Sequence, residues 1–556
     1  MNAAWLLEHF DRISEAPDAV ARLRRFILDL AVRGKLVEQD PKEAPGSVLF
    51  KEIAEQKLAL GLRHQEAPLQ PEEIPFKLPH GWSWGRIGEV CSKTGSGSTP
   101  RGGREVYRGS GIPFLRSQNV YDDGLKLDNV AYIDAATHLR MAGTAVAPGD
   151  LLLNITGGSI GRCCRVPGEF GEANVSQHVA IVRPAVTAMA GFLHLVIRAP
   201  YFQRFIFDEQ TGAGRGGLPK NRMDRIAVAI PPLAEQHRIV AKVDELMALC
   251  DQLEASRKER EARRDQLVMA SLARLNTPDP DPATFTEHAR FALETLPALT
   301  TRPDQIKQLR QTILNLAVRG KLVPQNSNEK PLEIDDASCW GELPSNWRYI
   351  RLIRLLAEDT RNGYSRRPDD APDGTPILRI SAGTVRGDGV VAEEEHKLIG
   401  GINDQIRHQY GLKTGDLLAC RFNGNKAFVG RLSIFRDYSE IQPIYPDKLI
   451  RVRVDTQLAL PEYMRLAGDS DIVRRDVEGA CATTVGNWGI SASNLKNVRF
   501  PLPPLAEQHR IVAKVDELMA LCDHLESSLA TSTDAHRRLL EATLREALEP
   551  AMEEAA

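Results

Sequence analysis

PPLAEQHRIVAKVDELMALCD occupies residues 231–251 and returns without a single change at residues 503–523. A packed core does not by itself demand such identity, because cores accept volume-conserving apolar exchanges. Either something meets both copies alike, or the copies share a recent history. A second pair lies upstream: ILDLAVRGKLV at 27–37 and ILNLAVRGKLV at 313–323. The chain of 556 residues is therefore two half-proteins in tandem, and the repeat overrides the domain count that length alone suggests.

Working outward, Pro231-Pro232 permits a helix only from its first turn onward. Ile239, Val243, Leu246, Cys250 and Leu253 then follow the alternating spacing of a coiled-coil seam. In the second copy Ile511, Val515, Leu518, Cys522, Leu525 and Leu529 continue it. Arg257–Asp265 is almost wholly charged and reads as a solvated helix face. Residues 5–37 read as helix, with Phe26, Ile27, Leu30 and Ala31 on one face and Gly34 as its stop. A short helical piece is expected near Val48–Leu60, and a helix over 304–319. Asp150–Ile155 and Val179–Val182 look like strands, and Tyr201–Phe207 like a helix. Prolines 278, 280, 282 and 297 mark the stretch 276–303 as a linker.

Two mixed segments lie between the repeated helices and match weakly. Leu78-Pro79-x-x-Trp82 parallels Leu343-Pro344-x-x-Trp347, and the Gly-Asp-Leu-Leu at 149–152 parallels that at 415–418. Gly111-Ile-Pro-Phe-Leu-Arg parallels Gly374-Thr-Pro-Ile-Leu-Arg, and Ile160-Gly-Arg parallels Val429-Gly-Arg. Identical helices joined to divergent modules suggest one shared partner and two different targets.

The net charge of −3 lacks the basic excess of a free-standing DNA binder. The eight cysteines include no C-x-x-C pair, which disfavours a zinc ribbon; Cys163 and Cys164 are adjacent. Cys250 and Cys522 fall on an apolar face and read as core thiols. The start lacks the features of a signal peptide. No apolar run approaches about 20 residues. A reduced, cytoplasmic chain without a membrane span is expected.

Catalytic signatures are thin. Residues 212–217 satisfy G-x-G-x-x-G but lack the preceding strand and following helix of a dinucleotide site. No phosphate-binding G-x-x-x-x-G-K-[ST], no H-E-x-x-H and no Asn-Pro-Pro-aromatic tetrapeptide occurs. Pro446-Asp447-Lys448 lacks the acidic partners of a nuclease. No metal site is expected, and His178 and His396 read as surface or hydrogen-bonding residues. What remains are clusters of DNA-contacting side-chain types on Gly-rich loops. In the first module these are Thr99, Arg101, Arg104, Arg116, Ser117, Gln118, Asn119, Asn154, Ser159, Arg162, Gln177, His178, Arg215 and Lys220. In the second they are Tyr364, Arg366, Arg367, Arg379, Ser381, Arg421, Asn423, Asn425, Lys426 and Lys448. Arg, Asn and Gln can pair bidentately with base edges; Lys, Ser and backbone amides usually position phosphates. Arg116, Gln118 and Asn119 in one module, and Arg379, Arg421 and Asn423 in the other, are the expected base readers.

With these stretches in view, the chain resembles the specificity (S) subunits of Type I restriction-modification systems. ILDLAVRGKLVEQDPKEAP (27–45), the module starts at Trp82 and Trp347, GIPFLRSQNV (111–120) and the PPLAEQ junctions carry the resemblance, which covers essentially the whole chain. It implies an α+β fold in which two mixed target recognition domains are separated by long antiparallel coiled-coil helices in a pseudo-twofold repeat. The regions expected are a helical segment with linker (1–75), recognition domain one (76–230), central spacer helices with a Pro-rich linker (231–330), recognition domain two (331–502) and a terminal spacer helix (503–556). Each recognition domain would read one half of a bipartite site in double-stranded DNA. Two methyltransferase subunits would dock on the repeated helices, with Leu233, Glu235, Gln236, Arg238 and Leu505, Glu507, Gln508, Arg510 as docking residues. Motor-nuclease subunits would join for restriction. Catalysis and its S-adenosylmethionine, ATP and magnesium belong to those partners, so no cofactor is expected in this chain. The extra residues before Leu23 and around 276–303 depart from the family pattern and have no assigned role. Two other readings differ in kind: an enzyme with drifted motifs, and a coiled-coil adaptor with two protein-binding modules.

Overall fold

The computed structural model describes residues 16, 18–62, 68–208, 217–276, 282–326, 328–334, 343–379, 381, 390–391, 396–436, 442–484 and 486–548. The chain forms two compact bodies, one from Met1–Arg260 with Thr533–Ala556, the other from Glu261–Ser532. Helix Leu233–Asn276 begins in the first body and finishes in the second, and helix Leu505–Leu548 begins in the second and finishes in the first. The fold class expected from the sequence, α+β with two mixed domains joined by long helices, is the one found. The domain division differs in detail, because the break between bodies falls inside the helix that the sequence reading assigns whole to a spacer.

Each body is built the same way. In the first, Ser83–Arg86 pairs antiparallel with Ala227–Ile230; in the second, Arg348–Arg351 pairs with Arg499–Leu502. The entry and exit of each module thus lie side by side on one ribbon. Beyond it stands a four-stranded sheet. Its order is Cys91–Ser96, Val179–Pro184, Leu151–Asn154, Cys163–Arg165 in one module, and Leu356–Asn362, Leu449–Val454, Leu417–Cys420, Leu432–Ile434 in the other. All neighbours are antiparallel. Leu151–Asn154 and Leu417–Cys420 are buried at every position, which is why they read as apolar runs rather than as alternating strands.

The Gly-Asp-Leu-Leu match has a physical cause. Asp150 and Asp416 are buried. Each takes Nε of an arginine on the neighbouring strand, Arg183 or Arg453, at 2.6 Å. Each also accepts the backbone N–H three residues earlier, Ala147 at 2.7 Å or Lys413 at 2.8 Å. One carboxylate fixes both the turn and the strand pairing.

Helix Ala19–Val32 stops before Gly34, whose φ of +66° ends it as expected. Its apolar face packs in the core with Trp82, Phe192, Ile239 and Val243. Ala16 and Ala19 are buried against Leu540 of the last helix. In the second body, helix Pro303–Ala317 joins Trp347, Tyr463, Ile511 and Val515. The stripe expected to form a coiled-coil seam is buried instead within each body's own core, Ile239, Val243 and Cys250 in the first and Ile511, Val515 and Cys522 in the second. Arg257–Asp265 is less solvated than expected: Arg257 donates to the Ala16 carbonyl at 2.7 Å, and Asp265 accepts from Arg302 and Gln305 at 2.9 and 2.8 Å. The Pro-rich linker reading is also corrected. Pro282–Leu299 is a helix, opened by Pro282, where the missing N–H costs nothing. Ala292 of that helix is buried with Val268, Leu272, Leu275 and Leu316.

The identical PPLAEQHR segments have an internal explanation. Trp82 Nε1 donates to Glu235 Oε2, and Trp347 Nε1 to Glu507 Oε2, both at 3.0 Å. Gln236 and Gln508 donate to the carbonyls of Pro231 and Pro503 at 3.0 Å. Arg238 pairs with Glu43, and Arg510 with Glu329 at 2.6 Å. Glu235, Gln236, Glu507 and Gln508 are at most 1% exposed. These four are therefore not docking residues: their side chains are closed inside, binding module to helix. Leu233 packs at the edge of the first core.

Burial holds the Glu235 and Glu507 carboxyls above their ordinary value, partly offset by the tryptophan N–H and a nearby arginine. Trp347→Phe keeps an aromatic side chain but removes the indole N–H and leaves a buried acceptor unmet, at a cost of about 1.5–3 kcal/mol for that acceptor alone; the thermal midpoint of the second body is expected to fall. The raised carboxyls set the pH response. Each stabilises the fold less as pH rises from the normal glutamate range through its raised folded value. The double variant Glu235→Gln/Glu507→Gln should therefore gain stability relative to the parent as pH climbs through that window. Denaturation compared across the pH range checks this, and parallel profiles for the two proteins would contradict it.

Candidate nucleic-acid interface

At one end of each four-stranded sheet, four loops meet by the same backbone contacts. Gly97 N donates to Val179 O and Gly363 N to Leu449 O; Ser98 N donates to Val175 O and Tyr364 N to Tyr445 O. Ile155 N donates to His178 O at 3.1 Å, and Arg421 N to Lys448 O at 2.8 Å. Leu218 N donates to Ile155 O and Ile490 N to Arg421 O. Gly97 and Gly363 sit where any side chain would strike backbone: a Cβ would lie 1.9 Å from Val175 O or 2.2 Å from Pro446 O. The two modules present one scaffold at this end.

The side chains on the scaffold differ. In the first module, exposed Thr99 donates to Gln177 Oε1 at 3.1 Å, and Thr156 Oγ1 meets His178 Nδ1 at 2.7 Å. Lys220 reaches Thr94 Oγ1 at 2.8 Å and pairs with Asp224. Arg162 lies over the Tyr121 ring at 4.9 Å, with Lys126 at 4.1 Å. Arg101 and Gln118 are exposed and Ser159 is partly so. Arg215 lies outside the described residues, and of the Arg104 side chain nothing is described. In the second module Arg421 and Lys448 lie over the Phe422 ring at 4.7 and 5.3 Å, and Lys426 over Trp488 at 4.7 Å. Tyr364 stacks on Tyr410 with centroids 5.4 Å apart. Arg366 is held by Asp369 at 2.6 Å, whereas Arg367 and Arg379 are exposed.

Several expected readers instead hold loops. Asn119, fully buried, accepts from Arg116 N at 3.0 Å and donates to Lys126 O at 2.9 Å. Asn154, also fully buried, donates to Ser117 O at 2.9 Å and Ser159 Oγ at 3.2 Å. Neither can reach a base edge. Asn423 and Asn425 accept backbone N–H groups within their own loop at 2.8 and 3.1 Å. Arg116 and Arg421 have lost part of their fork. Each has a buried Nε, and one terminal nitrogen donates to a backbone carbonyl, Asn129 O at 3.0 Å or Asp447 O at 3.2 Å. A bidentate grip on guanine needs two free donors, so neither is poised for one. Ser117 offers its carbonyl inward, and Ser381 is partly buried. The sequence reading missed Thr94, Tyr121 and Trp488, and within the stretches 154–162 and 421–426 that it singled out it passed over Thr156 and Phe422. A signal existed for Phe422, which lies in the stretch 421–428, three residues longer than its counterpart 155–159.

Among the described residues, no group of three or more His, Cys, Asp or Glu is placed to hold a metal ion. No helix there is long and apolar enough to cross a membrane. Burial pushes the Cys420 thiol, at the base of this end, up to about 11, so it stays protonated and takes no nucleophilic part.

The comparisons with known proteins agree with this architecture. Residues 79–262 match the family described as Type I restriction modification DNA specificity domain. The Type I restriction enzyme EcoEI specificity subunit of Escherichia coli is 27% identical over 582 aligned positions, covering 95% of this chain and 94% of that protein. The EcoKI specificity subunit of Escherichia coli strain K12 is also 27% identical, covering 85% of this chain and 89% of that protein. Among solved structures, a chain from work on complex assembly and conformational transition of the type I R-M system matches with a TM-score of 0.50. It is 20% identical and covers 85% of this chain and 99% of its own length. In its repeated modules, its joining helices and these matches across nearly the full length, the chain is similar to the specificity subunits of Type I restriction-modification systems.

Proposed function

We propose that this chain is the non-catalytic, sequence-reading subunit of a Type I restriction-modification complex, each module engaging one half of a bipartite site in duplex DNA. The observation that carries this reading is the duplicated sheet end: one backbone scaffold, two unrelated sets of polar and basic side chains. A scaffold fixed by backbone contacts lets the exposed residues vary without disturbing the core, as recognition of two different half-sites requires. Gln177 and His178 in the first module, and Arg367 and Arg379 in the second, are the exposed side chains best placed to meet bases. Arg101, Arg162, Lys220, Lys426 and Lys448 are suited to phosphates. In this reading the two long helices set the spacing of the half-sites. S-adenosylmethionine, ATP and magnesium act in the methyltransferase and motor-nuclease partners.

The shared docking surface shifts outward from the buried Glu-Gln pairs. Leu249 and Leu521 occupy the same position in the identical segments and are 43% and 55% exposed. Exposed leucines at matched positions suit one partner type bound twice. Leu249→Glu with Leu521→Glu should weaken co-purification of methyltransferase subunits while leaving the circular dichroism unchanged. Undiminished co-purification would remove these leucines from the interface.

Because entry and exit share a ribbon, a module can be exchanged as a unit. Replacing residues 76–230 by another module should alter one half of the methylated sequence and leave the other intact, as mapped in DNA from cells carrying the complete system. Gln177→Ala should relax the same half only, by about 1–3 kcal/mol per lost bidentate contact. Changes in both halves would refute independent reading.

A further inference from the structure

The second module carries a small sheet with no counterpart among the described residues of the first. Phe422–Asn423, Asn487–Gly489 and Ala482–Thr484 form a small antiparallel sheet at the interface end. Phe422 lies opposite Gly489. Its ring edge lies against that glycine, where a Cβ would come 2.5 Å from the ring. Two cations share this one ring, Arg421 at 4.7 Å and Lys448 at 5.3 Å. Both distances lie within the reach of a cation–aromatic interaction. One strand position along, Trp488 supports Lys426 at 4.7 Å. Neither Arg421, Lys426 nor Lys448 has an ion pair among the described residues.

Two like charges gathered on one ring with no carboxylate between them repel; an anion placed there would turn repulsion into attraction. Arg421 retains only part of its donor fork, as described above. What remains is a short-range donor beside a lysine ammonium, a pair matched to a phosphate oxygen rather than to the two-acceptor edge of guanine. In the first module the equivalent bridge is Thr156 with Gly217. Ile155 and His178 there stand where Arg421 and Lys448 stand in the second, and Thr156 bonds His178 through its hydroxyl.

We infer that Phe422 is a positioning residue that presents Arg421 and Lys448 as a clamp for one backbone phosphate of the second half-site, so that this module anchors DNA at a point where the first does not. The inference rests on the DNA-reading function proposed above.

The test uses the full chain co-produced with its methyltransferase subunits, and a duplex carrying the site found by methylation mapping. Binding is measured across a salt series for the parent, Phe422→Leu, Phe422→Tyr and the pair Arg421→Gln/Lys448→Gln. Phe422→Leu and the paired variant should lower affinity at low salt several-fold and reduce the steepness of the log–log salt dependence by about 1–2. Phe422→Tyr should behave as the parent. The methylated sequence should be the same for all four. Duplexes with single neutral methylphosphonates should reveal one position in the second half-site that weakens the parent but not Phe422→Leu. An unchanged salt slope in the paired variant, which leaves the ring intact, overturns the clamp. So does a changed second half-site, which would make these residues base readers. A parent complex that selects no sequence would refute the DNA-reading function itself, a result distinct from either.

Discussion

A buried hydrogen bond from an indole to a carboxylate, made once in each half, is the constraint on which the rest depends. Trp82 stands at the mouth of the first module and Glu235 in the first turn of its long helix; Trp347 and Glu507 repeat the arrangement. Burying a carboxylate is costly unless it is well paired, so each Glu ties its module's first strand to its helix with little angular freedom. The module's last strand runs directly into that helix through two prolines. Strand, helix and module therefore share one origin, and the recognition surface inherits its direction from that point.

Above this joint the structure separates what must stay constant from what can change. Constancy resides in groups that see only backbone: the Asp150 and Asp416 carboxylates on their turns, the glycines at 97 and 363 pressed against carbonyls, and the ladder of loop contacts shared by both sheet ends. Variation lies in the side chains set on that framework and in loop length, as in 421–428 against 155–159. Thr156 and His178 in one half and Phe422 and Lys448 in the other occupy equivalent places without altering the scaffold.

This separation explains what was legible in the sequence. The tandem repeat, the apolar stripe at Ile239, Val243 and Cys250, the buried strands at 151–154 and 417–420 and the stop at Gly34 all follow from local pattern, and they decide the fold. The reading failed where a residue's type agreed with two opposite fates. An Asn on a Gly-rich loop reads a base if it points outward and ties the loop if it points inward. Asn119 and Asn154 point inward, and nothing in the local sequence distinguishes the cases, because their partners, the carbonyls of Lys126 and Ser117, are nonlocal or featureless. The identity of PPLAEQHR was rightly taken as meaningful but was assigned to an external partner, since Glu, Gln and Arg are surface residues by habit. The partners that pull them inward, Trp82, Glu43 and their counterparts, lie 153–195 residues away. The helix Pro282–Leu299 was hidden by its prolines, which open a helix as readily as they prevent one.

The last helix has a consequence for how the chain is made. Leu540 is fully buried against Ala16 and Ala19, and Glu541 lies within ion-pair reach of Arg22. A ribosome releases the amino-terminal residues first, and domains ordinarily fold in that order during synthesis. Here the first body lacks part of its own wall until the final stretch of chain emerges. The corner at Ala16 and Ala19 stays uncovered while the entire second body is synthesised, although the rest of helix Ala19–Val32 already has its partners in the first body. The contact that closes this corner of the first body is thus made only after the whole of the second has been synthesised.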